Sequence, residues 1–214
     1  MSTRKTVIIS LVLIGIALAL SLAVYARLPE AMASHWNAND QVDGHISRFW
    51  GAFLMPLLAA GILCLLMIIP VMDPLKANIA RFRGSFNLFI VVMMVFLLYI
   101  HVLTIMWNLG MHGFRMSGAL LPAVGLLFVL AGLMMRRARR NFFIGIRTPW
   151  TLSSDRVWDE THRVGGALFI ASGILAALGS VFPGPVAYWL VLAPVVASSV
   201  FAVVYSYLLW RREQ

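Results

Sequence analysis

A chain of 214 residues that is 61% hydrophobic and only 12% charged, with a mean hydropathy of +0.89, does not have the composition of a water-soluble domain. Its apolar stretches are long and unbroken rather than alternating, which excludes a lipid-spanning β-barrel and leaves helices that satisfy their own backbone groups in hydrocarbon. The formal net charge of +9 would suit a nucleic-acid binder, but the basic residues sort by position between the apolar stretches, as topogenic, lipid-facing charge does, and not as a direct nucleic-acid contact.

Six runs meet the ~20-residue requirement for crossing a ~30 Å hydrocarbon core. They are Thr6 to Ala26, Phe49 to Met72, Phe86 to Leu109, Ser117 to Met135, Gly165 to Phe182 and Val186 to Trp210, and none contains Lys, Arg, Asp or Glu. The first follows Arg4-Lys5 and could be mistaken for a cleavable signal, but it exceeds the usual ~7 to 15 residue signal core and reads as an uncleaved helix. Pro183-Gly184-Pro185 allows only a tight hairpin between the last two runs. With the N-terminus inside, Arg4, Lys5, Lys76, Arg81, Arg83, the arginines from Arg136 to Arg163, Arg211 and Arg212 fall in cytoplasmic segments, against Arg27, Arg48 and Arg115 outside. The positive-inside rule therefore predicts an all-α polytopic protein with about six transmembrane helices, both termini in the cytoplasm and the lipid bilayer as first partner.

The first substantial loop, Arg27 to Arg48, is placed outside. Asn39-Asp40 and Asp43-Gly44 are turn formers, and Trp36, Phe49 and Trp50 suit headgroup depth. His35, Trp36, Asn37, Asp43 and His45 are the candidates for contacting an extracytoplasmic ligand. His35, Asp43 and His45 match no established metal-ligand spacing, so no metal or other cofactor is assigned and a compact cap held by Asx turns and an indole anchor is expected.

The second loop, Arg136 to Val164, is placed inside. Up to Trp150 it interleaves aromatics with arginines, and Pro149 keeps Thr148 out of helical geometry. From Ser153 or Ser154 a polar N-cap followed by Asp155, Asp159 and Glu160 predicts a helix running into the fifth span. On it Asp159 and Arg163, like Trp158 and His162, stand four apart and share a face. No nucleophile, metal motif or phosphate-cradling glycine pattern accompanies His162, so no catalytic residue is assigned and the chain is not read as an enzyme. The density of Arg, Trp, Thr and His exceeds what topology requires and points to a cytoplasmic docking surface. Within the spans, Gly165, Ala167, Ala171, Gly173, Ala177 and Gly179 give the fifth helix small-residue stripes. Pro56 and Pro194 are candidate kinks. His101 is the one ionisable side chain well inside a run, and it needs a polar partner there.

The string Gly145-Ile146-Arg147-Thr148-Pro149-Trp150-Thr151-Leu152-Ser153-Ser154, with Val157-Trp158, Thr161-His162-Arg163 and Gly165-Gly166, resembles the signature of the SdpI-type bacterial membrane proteins. Leu28-Pro29, His35-Trp36-Asn37 and Asp43-Gly44 resemble the N-terminal domain of unknown function that often precedes it, with Asp40 where that domain usually has Gly and Arg48 where it has Lys. The resemblance implies two regions: residues 1–72, a helix pair with the His-Trp-Asn loop, and residues 73–214, four helices with the Gly-Ile-Arg-Thr-Pro-Trp loop. It implies a multi-pass protein of the bacterial cytoplasmic membrane that protects its cell from a secreted peptide toxin and sequesters a transcriptional repressor at the inner face. Arg147, Thr148, Pro149, Trp150, Trp158, His162 and Arg163 would then form the docking surface. Two other classes make different demands: a small transporter calls for broken helices meeting at the midplane, and a metal-dependent membrane enzyme for His35, Asp43 and His45 converging.

Overall fold

The computed structural model describes residues 1–214. Helices α1 (Thr3–Val24), α2 (Arg48–Met72), α3 (Lys76–Asn108), α4 (Met116–Met135), α6 (Asp155–Gly179) and α7 (Pro185–Arg211) are each long and apolar enough to cross a membrane. A two-stranded antiparallel hairpin, β1 (Ala31–Trp36) and β2 (Val42–Ser47), lies between α1 and α2, and a short helix α5 (Pro149–Ser153) precedes α6. The expected all-α polytopic architecture is borne out; the hairpin is an addition that hydropathy did not reveal.

Large apolar side chains point outward along every span, Val71 for instance being 75% exposed, which in water would drive aggregation and here makes the lipid-facing surface. The proline-bearing helices α2 and α7 run unbroken through Pro56 and Pro194. Helix α3 starts ten residues before the apolar run. Its 33 residues give ~50 Å of helix at ~1.5 Å rise, longer than a ~30 Å core, so its first turns, bent at Phe82 (φ −118°, ψ 15°), stand outside the hydrocarbon.

The helices pack as two groups. Helix α3 lies along α1 and α2, so the division after Met72 is one of sequence and not of packing, while α6 lies between α4 and α7. Polar contacts tie the first group. The Ser21 hydroxyl donates to the Ala52 carbonyl (2.5 Å) and lies 3.0 Å from His101 Nε2, joining all three helices at one buried point. With the single hydroxyl proton so engaged, Nε2–H of His101 is the donor to Ser21. The expected partner of this intramembrane histidine is therefore a serine of α1. Asn87, also buried, donates to the Met1 carbonyl at 3.0 Å.

In the second group a buried hydroxyl pair, Ser172 and Ser198 (3.0 Å), joins α6 to α7, and α4 and α6 are held by backbone proximity. A Cβ at Gly132 would lie 2.5 Å from the Gly166 carbonyl oxygen, and one at Gly173 would lie 2.5 Å from that of Gly125. Two glycines per helix, seven residues apart, thus let α4 and α6 touch. This corrects the small-residue stripes read from sequence. Ala167 and Ala171 are exposed, Gly165 faces Ile146 of the loop and Gly179 faces α7, whereas Gly173 and Ala177 of the expected stripe, joined by Gly166, make the α4 contact.

Candidate functional site

Both substantial loops fold into defined structures at opposite ends of the bundle. At one end the hairpin is fixed from below and above. Asn108, the last residue of α3, accepts from Ala33 N through Oδ1 (2.8 Å) and donates to the Ala33 carbonyl through Nδ2 (3.0 Å). Leu28 and Met32 pack beneath it with Ala52 and Ile105. At the tip, Asn37 Oδ1 accepts from the amides of Asn39 (2.9 Å) and Gln41 (3.1 Å), the expected Asx turn. Asp40 adopts φ +59°, which explains why glycine suits that position. Its carboxylate then accepts from Ser117 N (2.7 Å) and Ser117 Oγ (2.6 Å) in the first turn of α4, where the helix's own amides lack partners and an anion is favoured.

Of the ligand-contact candidates, His35 and Asp43 pair across the hairpin with Nδ1 to Oδ1 at 2.5 Å, both exposed. His45 is exposed opposite Ala33, and Asn37 serves the turn. Trp36 is half-buried with its ring edge-on to Trp107 (5.6 Å), so it covers the end of α3, whereas Phe49 and Trp50 are exposed. No group of three His, Cys, Asp or Glu side chains lies close enough to hold a metal ion, so His35, Asp43 and His45 do not form the site that a metal enzyme would require.

At the other end the arginine-rich loop has no helix or strand from Arg136 to Thr148, and side chains satisfy its backbone there. Buried Asn141 accepts from the amides of Phe143 (2.9 Å) and Ile144 (2.6 Å) and donates to the carbonyls of Arg139 (2.8 Å) and Ile144 (3.0 Å). Asp73, from the α2–α3 connection, accepts from Leu75 N (2.6 Å) and Phe142 N (2.8 Å), and Asn78 of α3 donates to the Arg140 carbonyl (2.9 Å). Thr148 is extended, as Pro149 requires, and forms a reciprocal capping box with Thr151 at the start of α5. Ser154 caps α6 as expected.

Trp158 and His162 stack with ring centroids 4.0 Å apart, and both are buried. The Trp158 indole donates to the Ala138 carbonyl (3.0 Å). His162 donates from Nδ1 to the Trp158 carbonyl and accepts at Nε2 from Ile146 N, both at 2.9 Å, so the ring is neutral with its proton on Nδ1. Gly145, at φ +110°, lets the chain pass so close to that ring that a Cβ would collide with Nε2. Asp159 pairs with Arg139 (2.8 Å) and Arg163 with Glu160 (2.5 Å), in place of the Asp159–Arg163 pair that spacing suggested.

Among the docking candidates, Arg147, Pro149 and Arg163 are exposed and Trp150 is half-exposed against Tyr207 (5.1 Å). Thr148, Trp158 and His162 are buried and position the loop from within, which corrects their reading as surface residues. Asn141 and Asp73, which hold the amides of Phe142, Phe143 and Ile144, were not singled out by sequence; an Asn and an Asp beside an apolar run are too common to stand out.

The arrangement is that of a polytopic helical membrane protein with a folded cap at one end and an internally hydrogen-bonded arginine loop at the other. Residues 137–206 match the SdpI/YfhL protein family, and residues 12–60 match a domain of unknown function (DUF1648). The chain is 24% identical over 203 residues to "Immunity protein SdpI" of Bacillus subtilis (strain 168), covering 95% of each chain. The likeness to SdpI-type proteins expected from the two loops is borne out, and with six apolar helices it places the chain in the bacterial cytoplasmic membrane as a multi-pass protein. No solved structure matches the chain.

Proposed function

We propose that this chain is a non-enzymatic membrane immunity and signalling protein, with both termini in the cytoplasm, that protects its cell against a secreted peptide toxin. Full-length similarity to a protein named for immunity supports the first part, and the segregation of Lys and Arg supports the orientation. In that orientation the hairpin, with His35, Trp36, Asn37, Asp43 and His45, faces the toxin. Arg147, Pro149, Trp150 and Arg163 offer the surface on which a cytoplasmic repressor docks.

One observation carries the two-surface reading: the cap and the loop are held by the same two helices. Helix α3 grips the hairpin through Asn108 and the loop through Asn78, while α4 begins on Asp40 and runs into Arg136–Ala138 of the loop. A ligand that shifts the hairpin acts on two helices whose other ends hold the arginine loop. The transporter reading lacks the broken midplane helices it needs, since α2 and α7 are continuous.

The test is survival of a sensitive bacterium expressing the intact protein, or its Arg147→Ala/Trp150→Ala variant, during challenge with peptide toxins encoded beside it. Protection by both, with toxin-dependent repressor recruitment lost only in the variant, is the expected result. Failure of the intact protein to protect against any of these toxins would overturn the immunity reading.

A further inference from the structure

Beside the hydrogen-bonded knot of the loop, between the first turns of α3 and the end of α4, lies a cleft of about 750 Å³. Its wall carries Arg81, Arg136, Arg137, Arg139 and Arg163 against a single carboxylate, Asp159. Asp159 is already engaged by Arg139, and Arg163 by Glu160, whereas Arg81, Arg136 and Arg137 have no carboxylate partner. Three uncompensated guanidinium groups around one concavity hold a fixed positive field and present forked donors suited to phosphate oxygens.

A second cavity, of about 230 Å³, begins where the first ends. The two share Ser85 and Arg137, whose side chains meet at 3.2 Å, and the second continues between α3 and α4 along Leu88, Val92, Leu130 and Leu133. The junction falls at the edge of the apolar runs, just before Phe86 and just after Met135, which is headgroup depth.

We propose that the two cavities form one site for an anionic phospholipid, its phosphate in the arginine cleft and an acyl chain in the slot between α3 and α4. The combination selects this occupant. A soluble anion uses the cleft and leaves the slot without a role, and a zwitterionic lipid uses the slot but carries a cation into the arginines. Such a lipid site does not depend on a role in immunity. Its consequence is that a lipid wedges the two helices that connect the cap to the loop.

The experiment is native mass spectrometry of the delipidated protein in non-ionic detergent, titrated separately with dioleoyl phosphatidylglycerol, dioleoyl phosphatidylcholine and glycerol 3-phosphate. Phosphatidylglycerol is expected to bind at least tenfold more tightly than either. Arg81→Ala/Arg137→Ala removes that preference and leaves phosphatidylcholine unchanged. Leu130→Trp, which fills the slot, weakens the lipid but not glycerol 3-phosphate. Arg211→Ala/Arg212→Ala, at the far end of α7, changes nothing. Melting temperatures without lipid establish that each variant is folded, and the arginine variants, exposed at both positions, remain decisive if Leu130→Trp is not. Equal binding of the two lipids, or an equal loss in the Arg211/Arg212 variant, overturns the proposal. Glycerol 3-phosphate binding as tightly as phosphatidylglycerol overturns the lipid assignment in favour of a free phosphate.

Discussion

The hairpin and the arginine loop close off opposite ends of one bundle by opposite means. In the hairpin the cross-strand ladder, with Asn108 at Ala33 and Asn37 at the tip, satisfies the backbone, so side chains such as His35, Asp43 and His45 are free to point outward. The loop has no ladder. Its amides are taken by Asn141, Asp73, Thr151 and His162, which must therefore be drawn inside with the segments they serve. A histidine near carboxylates consequently means different things at the two ends: an exposed pair at His35 and a buried, neutral spacer at His162. Where backbone is irregular next to a membrane core, polar side chains are structural first.

The sharpest way to break this comparison is Trp158→Ala. The ring is fully buried in the largest hydrophobic cluster and its indole nitrogen is hydrogen-bonded, so truncation should cost about 3–5 kcal/mol of stability. Denaturant titration of the protein in detergent measures it. Trp36→Ala in the hairpin, half-buried against Trp107, should cost clearly less. Equal losses would mean that the cap is as deeply keyed into the bundle as the loop.

What the sequence disclosed follows the same division. The six spans, the Ser154 cap, the extended Thr148 before Pro149 and the turn at Pro183–Pro185 all rest on local rules, hydropathy and backbone sterics, and all are present. The strands escaped because a register irregularity between Ala33 and His35 interrupts the two-residue alternation, and Met32 and Ala33 are consecutively buried. The early start of α3 escaped because Lys76, Arg81 and Arg83 hide a helix that projects beyond the lipid. The glycine contacts of α4 and the burial of Trp158 and His162 depend on which segments meet in space, and a single chain's local pattern does not encode that.

Asp40 gives a smaller effect that tests how the cap is attached. Asp40→Ala removes the two bonds to Ser117 and keeps a β-carbon at φ +59°, so about 1–2 kcal/mol should be lost. Asp40→Gly loses the same bonds but relieves the left-handed backbone, and its melting temperature should lie between those of the alanine variant and the parent. If glycine and alanine melt together, the turn conformation contributes nothing and attachment to α4 is the whole role of the residue.

The smallest expected effect on stability is the most informative about function. The His35–Asp43 pair is short at 2.5 Å, but the side chains are 70% and 44% exposed, and pairs so open to water contribute little to folding. The ladder around them persists without it, because the strands pair through backbone groups on either side of both residues. His35→Ala should therefore leave the melting temperature unchanged. If the hairpin receives a toxin, the same variant should lower protection in the survival assay, since the side chain has no other task. A melting temperature lowered as far as in Asp40→Ala would make the tip structural, like the loop, and would move the search for the toxin-facing surface to the exposed aromatics Phe49 and Trp50 at the start of α2.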